Sequence, residues 1–576
     1  MRLITVMRSS AFVVSIGAAT SCFAQSVPAV TDPGRLQKGI QGSTKPALDA
    51  SPIAAPSLPA VPRSSPPKGA ESATFVLNSI SFEGASVYSD AELSQSFKDK
   101  IGQKVSVSDV FDIAAILTAR YRNDGFLLSS VIVPPQEIGD DGNITLKVVE
   151  GFIDRIEVKG VSSAGQRTVE GYLNGLVNLR PLTKASLERH LLLANDLPGV
   201  SLKSFLQPSP QNGGAAVLTI EVEQSQLNAW TRADMRGSEF VGPIQHELGL
   251  TFSGLPSLDQ SLTIRGIYTP ESFDELNYID LAYTNQLGVD GFGVSLSVSG
   301  LRSKPGKNLR DIDLKSESIG FNAGVEYKAI REREQNLVVS FSAAFQNAET
   351  QSLGADLTED KNRSLRLGGS YQFSDKFSGV TSVSVAANQG LEVLGATKSG
   401  DTLLTRADAD PDVSWFDASV SRRQALMIPG MAISAAVRGQ YSLGPQTAGR
   451  EFGVGGTANG SAFDSGEIIG DHGVSGRVEL SYSSALPGID ESPIPEVLTN
   501  LGLQVYGFAD GGSVWQADQS GTTQSNDSIA SAGVGLRLNL GDHISTNIEV
   551  AKPFLKDVDS KGDRDPRLFF ELVGRF

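Results

Sequence analysis

The sequence predicts an all-β transmembrane barrel of about 16 antiparallel strands, preceded by two small α+β units of β-α-α-β-β order. Three observations predict it. The chain opens on a cleavable export signal. From Leu227 onward, segments of about ten residues alternate between apolar and small or polar positions. The chain ends on an amphipathic strand that closes with an aromatic residue.

The export signal covers residues 1–24. Arg2 and Arg8 form a positive start, Ala11 to Ala19 an apolar stretch too short to span a bilayer, and Ser21-Cys22-Phe23-Ala24 a small-residue cleavage site. Lipidation of Cys22 is the weaker alternative, because Ala-Thr-Ser is a poor lead-in. Cleavage after Ala24 discards the one cysteine of the chain, so the mature protein has no disulfide, thiolate metal site or cysteine nucleophile. No later run of apolar residues is long enough for a spanning helix. The chain is then soluble after export or a closed barrel, the other structure that satisfies its backbone in lipid.

Residues 25–41 form an N-terminal segment in which Asp32 can cap a short helix with Pro33 at its first position. A plain linker is the alternative at this level. Residues 42–73 are a Pro-rich tether containing Pro46, Pro52, Pro56, Pro59, Pro62, Pro66 and Pro67.

Two units of about 75 residues follow, at 74–150 and 151–225. In the first, a strand at Phe75–Glu83 ends on Gly84, and short and long helices are expected near Asp90–Lys98 and over Val107–Asp124. Ser106 and Asp109 form a capping box for the long helix, and strands Ser129–Pro134 and Ile144–Glu150 complete the unit. The second has a strand Ile153–Lys159 ending on Gly160, a helix from Thr183 to Leu197, and strands Ser201–Gln207 and Ala215–Val222. The matched Gly84 and Gly160 favour duplication over a single α+β domain.

The barrel occupies 226–576. Phe292, Val294, Leu296 and Val298 alternate with Gly293, Ser295 and Ser297. Ala532, Val534, Leu536 and Leu538 interleave with Gly533, Gly535 and Arg537, and the arginine is tolerated if its face looks into a wet lumen. At the end of the chain, Leu568, Phe570, Leu572 and Phe576 share one face.

A net charge of −16 argues against a nucleic-acid partner. The four histidines lie far apart with no metal-ligand spacing, and there is no nucleophile elbow or dinucleotide loop. No catalytic residue, metal ligand or cofactor is expected.

The whole mature chain resembles the two-partner (type Vb) secretion transporters of the ShlB/FhaC/HecB haemolysin secretion/activation family, barrels that carry POTRA domains. Asp32-Pro33-Gly34-Arg35 is similar to the start of the family's plug helix. Phe508-x-Asp510-x-Gly512 is similar to its Phe-x-Asp-x-Gly strand motif. Gly455-Gly456, Gly470-Asp471-His472-Gly473 and Arg477-Val478-Glu479-Leu480 resemble its sixth extracellular loop running into the next strand. The resemblance implies that the lumenal Asp510 anchors an arginine at the loop tip. Here the tip reads Ala458-Asn459-Gly460-Ser461-Ala462-Phe463, with Asn459 where the arginine is expected. Asn459 can hydrogen-bond a carboxylate but cannot form a bidentate charged pair, so either the latch is weaker or another lumenal cation pairs with Asp510. Alternation turns Arg438, Arg477 and Glu479 toward the lumen as well.

The resemblance further implies a monomer in the outer membrane of a Gram-negative bacterium, in contact with its lipid and with the POTRA domains in the periplasm. It implies insertion by the barrel assembly machinery, which would read Phe570, Leu572 and Phe576. It also implies a secreted partner exoprotein with an N-terminal secretion domain, captured by β-augmentation and exported without ATP. The alternatives are a BamA-like insertase, a passive channel and a lumenal enzyme.

Overall fold

The computed structural model describes residues 31–43, 65–139, 141–212, 214–457, 459–486, 501–517 and 526–576. The expected export signal and most of the Pro-rich tether lie outside them.

Helix α1 spans Pro33–Ser43, running past the expected end at Gln41. In the first small unit, the expected strand Phe75–Glu83 divides into β1 (Thr74–Val76) and β2 (Ser79–Glu83). Leu77 and Asn78 cause the break: their N–H groups go to Gln103 and Gly142 carbonyls, and the Leu77 side chain is fully buried. The chain thus leaves β3 (Lys104–Ser106), the partner of β1, and joins β5 (Asn143–Val149) in parallel. Helix α2 covers Asp90–Ser94, ending before the expected Lys98, where a 3-10 turn begins. Helix α3 (Val107–Asn123) starts at the expected capping box, with Ser106 N–H 2.8 Å from Asp109 Oδ2 and Asp109 N–H 3.2 Å from Ser106 Oγ. Its Val110, Ile113, Leu117 and Tyr121 recur at helical spacing and pack on Ile144, Leu146 and Val148. Burial at this level stabilises the unit by about 1.5–3 kcal/mol per large apolar side chain. Strand β4 (Ser130–Ile132) completes the sheet β2-β5-β4.

The second unit repeats the plan with β6 (Phe152–Lys159), α4 (Ser163–Leu173), α5 (Lys184–Asn195), β7 (Val200–Pro208) and β8 (Ala215–Gln224), in sheet order β6-β8-β7. Gly84 and Gly160 occupy matching places. A Cβ on either would fall 2.6 or 2.2 Å from the carbonyl oxygen of Val148 or Val222 on the central strand.

Sixteen antiparallel strands, from Leu227–Asp234 to Arg567–Arg575, close into a barrel. Their outward faces carry exposed Leu296, Val298, Ile319, Phe321 and Val325, while Ser299 and Ser318 turn inward and are buried. An apolar belt around a polar interior is what lipid outside and water inside require. The seam between the first and last strands is short, from Glu571 opposite Asp234 to Arg575 opposite Trp230. Ala229 and Phe576 extend it with reciprocal backbone hydrogen bonds of 3.0 and 2.8 Å. Leu568, Phe570, Leu572 and Phe576 are all exposed. Among the described residues no helix is long and apolar enough to cross a membrane.

The second unit is clamped to the near rim of the barrel. Arg189 donates to the carbonyl oxygens of Asp290 and Lys328 at 2.8 and 3.1 Å. Asp196, beyond the end of α5, accepts from Lys328 Nζ at 2.9 Å and from Arg331 Nη2 at 2.6 Å.

Candidate functional site

The lumen is filled by two elements that are not part of the wall. One is the long loop between strands Met431–Ser442 and His472–Leu486, which turns back inside. Its short hairpin pairs Phe452–Val454 with Ile468–Gly470. Its Phe452, Val454, Ala462, Phe463 and Ile468 pack on the wall residues Tyr506, Phe508, Ile529 and Phe569. The tip is shaped by Gly455, at φ +126°, where a Cβ would lie 2.1 Å from the Asp464 carbonyl oxygen. Gly456 N–H donates to Phe463 O at 3.1 Å, and Gly460 O accepts from Phe463 N–H at 2.9 Å.

This tip meets Asp510, which is buried on the inward face of strand Leu501–Trp515. Ser461 N–H lies 3.2 and 3.1 Å from the two carboxylate oxygens, and Ser461 Oγ donates to Oδ2 at 2.5 Å. The Ser531 hydroxyl donates to Oδ1. Arg477, directly opposite Asp510 in the strand register, places Nη1 3.2 Å from Oδ2 and its guanidinium 3.9 Å from the Phe508 ring centroid. Of the two alternatives left by Asn459 at the tip, the geometry supplies the second, a wall cation, Arg477, beside Asp510. Asn459 stands in the turn of the tip. Its carbonyl closes the turn by accepting from Gly455 N–H at 2.8 Å, which carries the tip on to Ser461.

The charges around Asp510 are matched. Arg477 Nη2 reaches Glu479 at 3.0 Å and Glu549 at 3.4 Å. Arg236 holds Glu549 at 2.8 Å and the Ser461 carbonyl at 2.9 Å. Arg537 grips Glu479 through both nitrogens at 2.7 and 3.0 Å. Three carboxylates thus face three guanidiniums, and buried charge is tolerated only when paired in this way. Phe508 lines the loop's apolar contact, and Gly512 stands opposite Ser475, whose hydroxyl accepts from Arg438 Nε at 3.1 Å. Arg438 Nη2 also donates to Gly453 O in the loop at 2.9 Å.

Helix α1 is the second lumenal element. Arg35 N–H donates to Asp32 Oδ1 at 2.8 Å, so Asp32 caps the helix and Pro33 takes its first position. Ile40 and Leu36 pack on Ile267, Leu276, Tyr278 and Leu301 of one side of the barrel. Gln37 donates to Ser299 Oγ at 2.5 Å and accepts from Gln346 Nε2 at 2.9 Å. On the loop side, Arg35 pairs with buried Glu451 and donates to Ala448 O at 3.0 Å, and Lys38 reaches the Arg450 and Glu451 carbonyls at 3.0 Å. Glu451 is also held by Arg406 at 3.1 Å, which binds Asp471 at 2.8 Å.

The structure therefore brings Phe508, Asp510, Arg477, Glu479 and the glycine-rich tip together, and places Asp32, Pro33 and Arg35 at the loop's far side. Phe570, Leu572 and Phe576 stay outside on the lipid face. Sequence reasoning missed Glu451, Arg406, Arg236, Glu549 and Ser461. Glu549 and Arg537 were within reach, because alternation along their strands puts both on the inward face; the loop residues carry no such signal.

A profile of the haemolysin secretion/activation protein ShlB/FhaC/HecB family matches residues 213–538, and one of the ShlB-type POTRA domain matches 75–151. The heme/hemopexin transporter protein HuxB of Haemophilus influenzae (strain 86-028NP) is 24% identical over 483 residues, covering 81% of each chain. CdiB from Escherichia coli superposes with a TM-score of 0.72 at 18% identity, covering 94% of this chain and 98% of that one. CdiB from Acinetobacter baumannii gives a TM-score of 0.61 at 16% identity over 94% of this chain and 98% of that one.

Proposed function

Because the chain belongs to the ShlB/FhaC/HecB family of outer-membrane transporters, we propose that it exports one unfolded partner exoprotein through its lumen by displacing helix α1 and the folded-in loop. The family is one of transporters and not of enzymes. The barrel lies in the outer membrane of a Gram-negative bacterium with the POTRA region in the periplasm, and the family implies a secreted partner. In the proposed division of labour, 1–24 directs export, 25–41 supplies the plug and 42–73 tethers it. The POTRA domains at 74–150 and 151–225 capture the client, and 226–576 forms the pore.

One observation carries the reading. The lumen is stopped by elements held to the wall through side-chain contacts, polar ones such as Ser461 to Asp510 and Gln37 to Ser299 and apolar packing of the loop and of Ile40, and not by strand pairing with the wall. Such contacts exchange for water at a net cost of about 0.5–3 kcal/mol each, within reach of the free energy of binding a client. The periplasm supplies no ATP, so the remaining drive is folding of the client outside. An extended client can add as a strand to a POTRA sheet edge, gaining main-chain hydrogen bonds with little sequence dependence.

Comparing the proteins of the culture medium and outer membrane with and without this gene tests the proposal. Loss of one large secreted protein, with other barrels unchanged, is expected. A general fall in outer-membrane barrels would replace the reading with an insertase, and no change in either would overturn it.

A further inference from the structure

The connections between barrel strands alternate between the two rims, and the one at Asp290 lies on the POTRA rim. The connection 391–413, between strands Gly379–Gly390 and Ser414–Ala425, therefore stands on the far rim. Thr397 N–H donates to Lys361 O at 3.1 Å and Leu403 O accepts from Glu359 N–H at 2.6 Å, which lays this loop along strand Ala355–Ser374. Thr405 then turns inward, giving its N–H and hydroxyl to buried Asp360 at 3.2 and 2.6 Å.

That turn delivers Arg406 to the root of the folded-in loop, residues 445–451. Asp410 N–H donates to Pro445 O at 2.9 Å. Ala448 N–H donates to Thr405 Oγ1 at 3.2 Å, and Arg406 donates to Gln446 O at 3.3 Å. On the wall, Asn362 accepts from the Thr447 hydroxyl at 2.8 Å. The root is thus fastened to the wall and to the far-rim loop. Helix α1 lies against the same root through Arg35, Lys38 and the close approach of Gly34 to Gly449.

Two carboxylates are buried at this junction, Glu451 and Asp471, with side chains 1% and 0% exposed. They face two guanidiniums. Arg35, on the helix, pairs with Glu451, while Arg406 reaches Glu451 Oε1 at 3.1 Å and Asp471 Oδ1 at 2.8 Å. Asp471 also accepts from the Gln446 and Ala517 amides at 2.6 and 2.9 Å. Asp408, in the far-rim loop itself, takes the other nitrogen of Arg406 at 3.2 Å. When the helix is displaced, Arg35 goes with it. A buried carboxylate left without its cation is costly, so the helix departs readily only if Glu451 keeps Arg406.

We infer that Arg406 is a positioning residue of the gate. With the rest of loop 391–413 it holds the root in place and keeps Glu451 neutralised while α1 departs, so the moving parts are the helix and the loop tip. The inference deepens the proposed displacement and rests on it. A residue that merely pegged the root down would act in the opposite sense, because its loss would free the root and ease opening.

The test records openings of the full-length transporter in planar bilayers. Arg406→Gln is expected to make openings about tenfold rarer, with the barrel at its normal level in the outer membrane. Arg406→Lys keeps the cation and should stay within about twofold of the unaltered protein. Openings in Arg406→Gln that are as frequent as in the unaltered protein, or more so, overturn the role of the charge. The one cysteine of the chain, Cys22, lies in the expected export signal, so engineered cysteine pairs can test the moving parts in cells. Export is read there as the amount of the protein that vanishes from the medium when the gene is deleted. A disulfide between Thr405→Cys and Ala448→Cys, joining the two loops, should leave export unchanged. Export lost on oxidation and restored by a reductant would overturn the fixed root. This pair decides the case if Arg406→Gln lowers the barrel level. A disulfide between Gly34→Cys and Gly449→Cys, joining the helix to the root, should stop export until it is reduced. Export through that lock would overturn the helix displacement itself and leave the family assignment standing.

Discussion

Arg331, at the end of a barrel strand, holds Asp196 of the second POTRA domain with Nη2 2.6 Å from Oδ1 and Nε 2.9 Å from Oδ2. Lys328 adds a second cation to the same carboxylate. One acid and two bases thus join Arg189 in setting the orientation of the domain on the pore mouth.

Asp196→Asn is expected to weaken this docking by about 1–3 kcal/mol. Spin-label distances between the domain and the rim should broaden, with no loss of barrel. Burial alone would raise the Asp196 carboxyl, but the hydrogen bond from Arg331 and the charge of Lys328 outweigh it and hold it below its ordinary value. A depressed acid contributes its stability above the ordinary carboxylate range and loses it as pH falls through the folded value. The same distances should therefore hold steady above about pH 5 and broaden only below about pH 4.

Arg35→Ala removes the charged contact between helix α1 and Glu451 while Arg406 still neutralises that acid. The helix should loosen by about 1.5–3 kcal/mol without unfolding the loop. Planar-bilayer recordings are expected to show more frequent open events than the unaltered protein.

Two variants, one on the loop tip and one on the wall strand facing it, weigh the Ser461 hydroxyl against the Arg477 charge. Ser461→Ala keeps the backbone donor to Asp510 but removes a hydroxyl that donates to Asp510 and accepts from Arg477, and should raise the open probability about tenfold, for a loss of about 1.5–3 kcal/mol. Arg477→Ala leaves Asp510, Glu479 and Glu549 short of one cation and should cost about 3–5 kcal/mol. Equal effects of the two in the same recordings would contradict this ordering.

Deleting Phe576 removes both backbone bonds to Ala229 and shortens the short seam of the barrel. The amount of heat-modifiable barrel in the outer membrane is expected to fall several-fold, measured by immunoblot at fixed synthesis.

Much of the architecture was legible because its periods are strict. Alternation along Phe292–Val298 reports a wall with lipid on one side, and the spacing of Val110, Ala114, Leu117 and Tyr121 reports a helix on a sheet. The same alternation turned Arg477, Glu479 and Asp510 inward. It could not reveal that Arg477 and Asp510 lie opposite one another, since that register is set by pairing across a stretch of chain with no period of its own. Asn459 in place of an arginine left open whether a second cation serves Asp510; which one does depends on strand register, and which loop atom reaches it depends on the turns of the tip, where the Gly455–Asn459 hydrogen bond brings Ser461 to the carboxylate. Glu451 and Arg406 belong to loop segments that meet only in three dimensions.

The cation facing Asp510 is carried by the wall strand and not by the loop. When the tip withdraws, water enters beside an ion pair that is already made, and what Asp510 itself gives up is the hydroxyl and the backbone amide of Ser461. Asp510 keeps its charged partner in the channel wall. The stopper can be pulled and reseated many times, as suits a conduit that serves successive copies of its cargo.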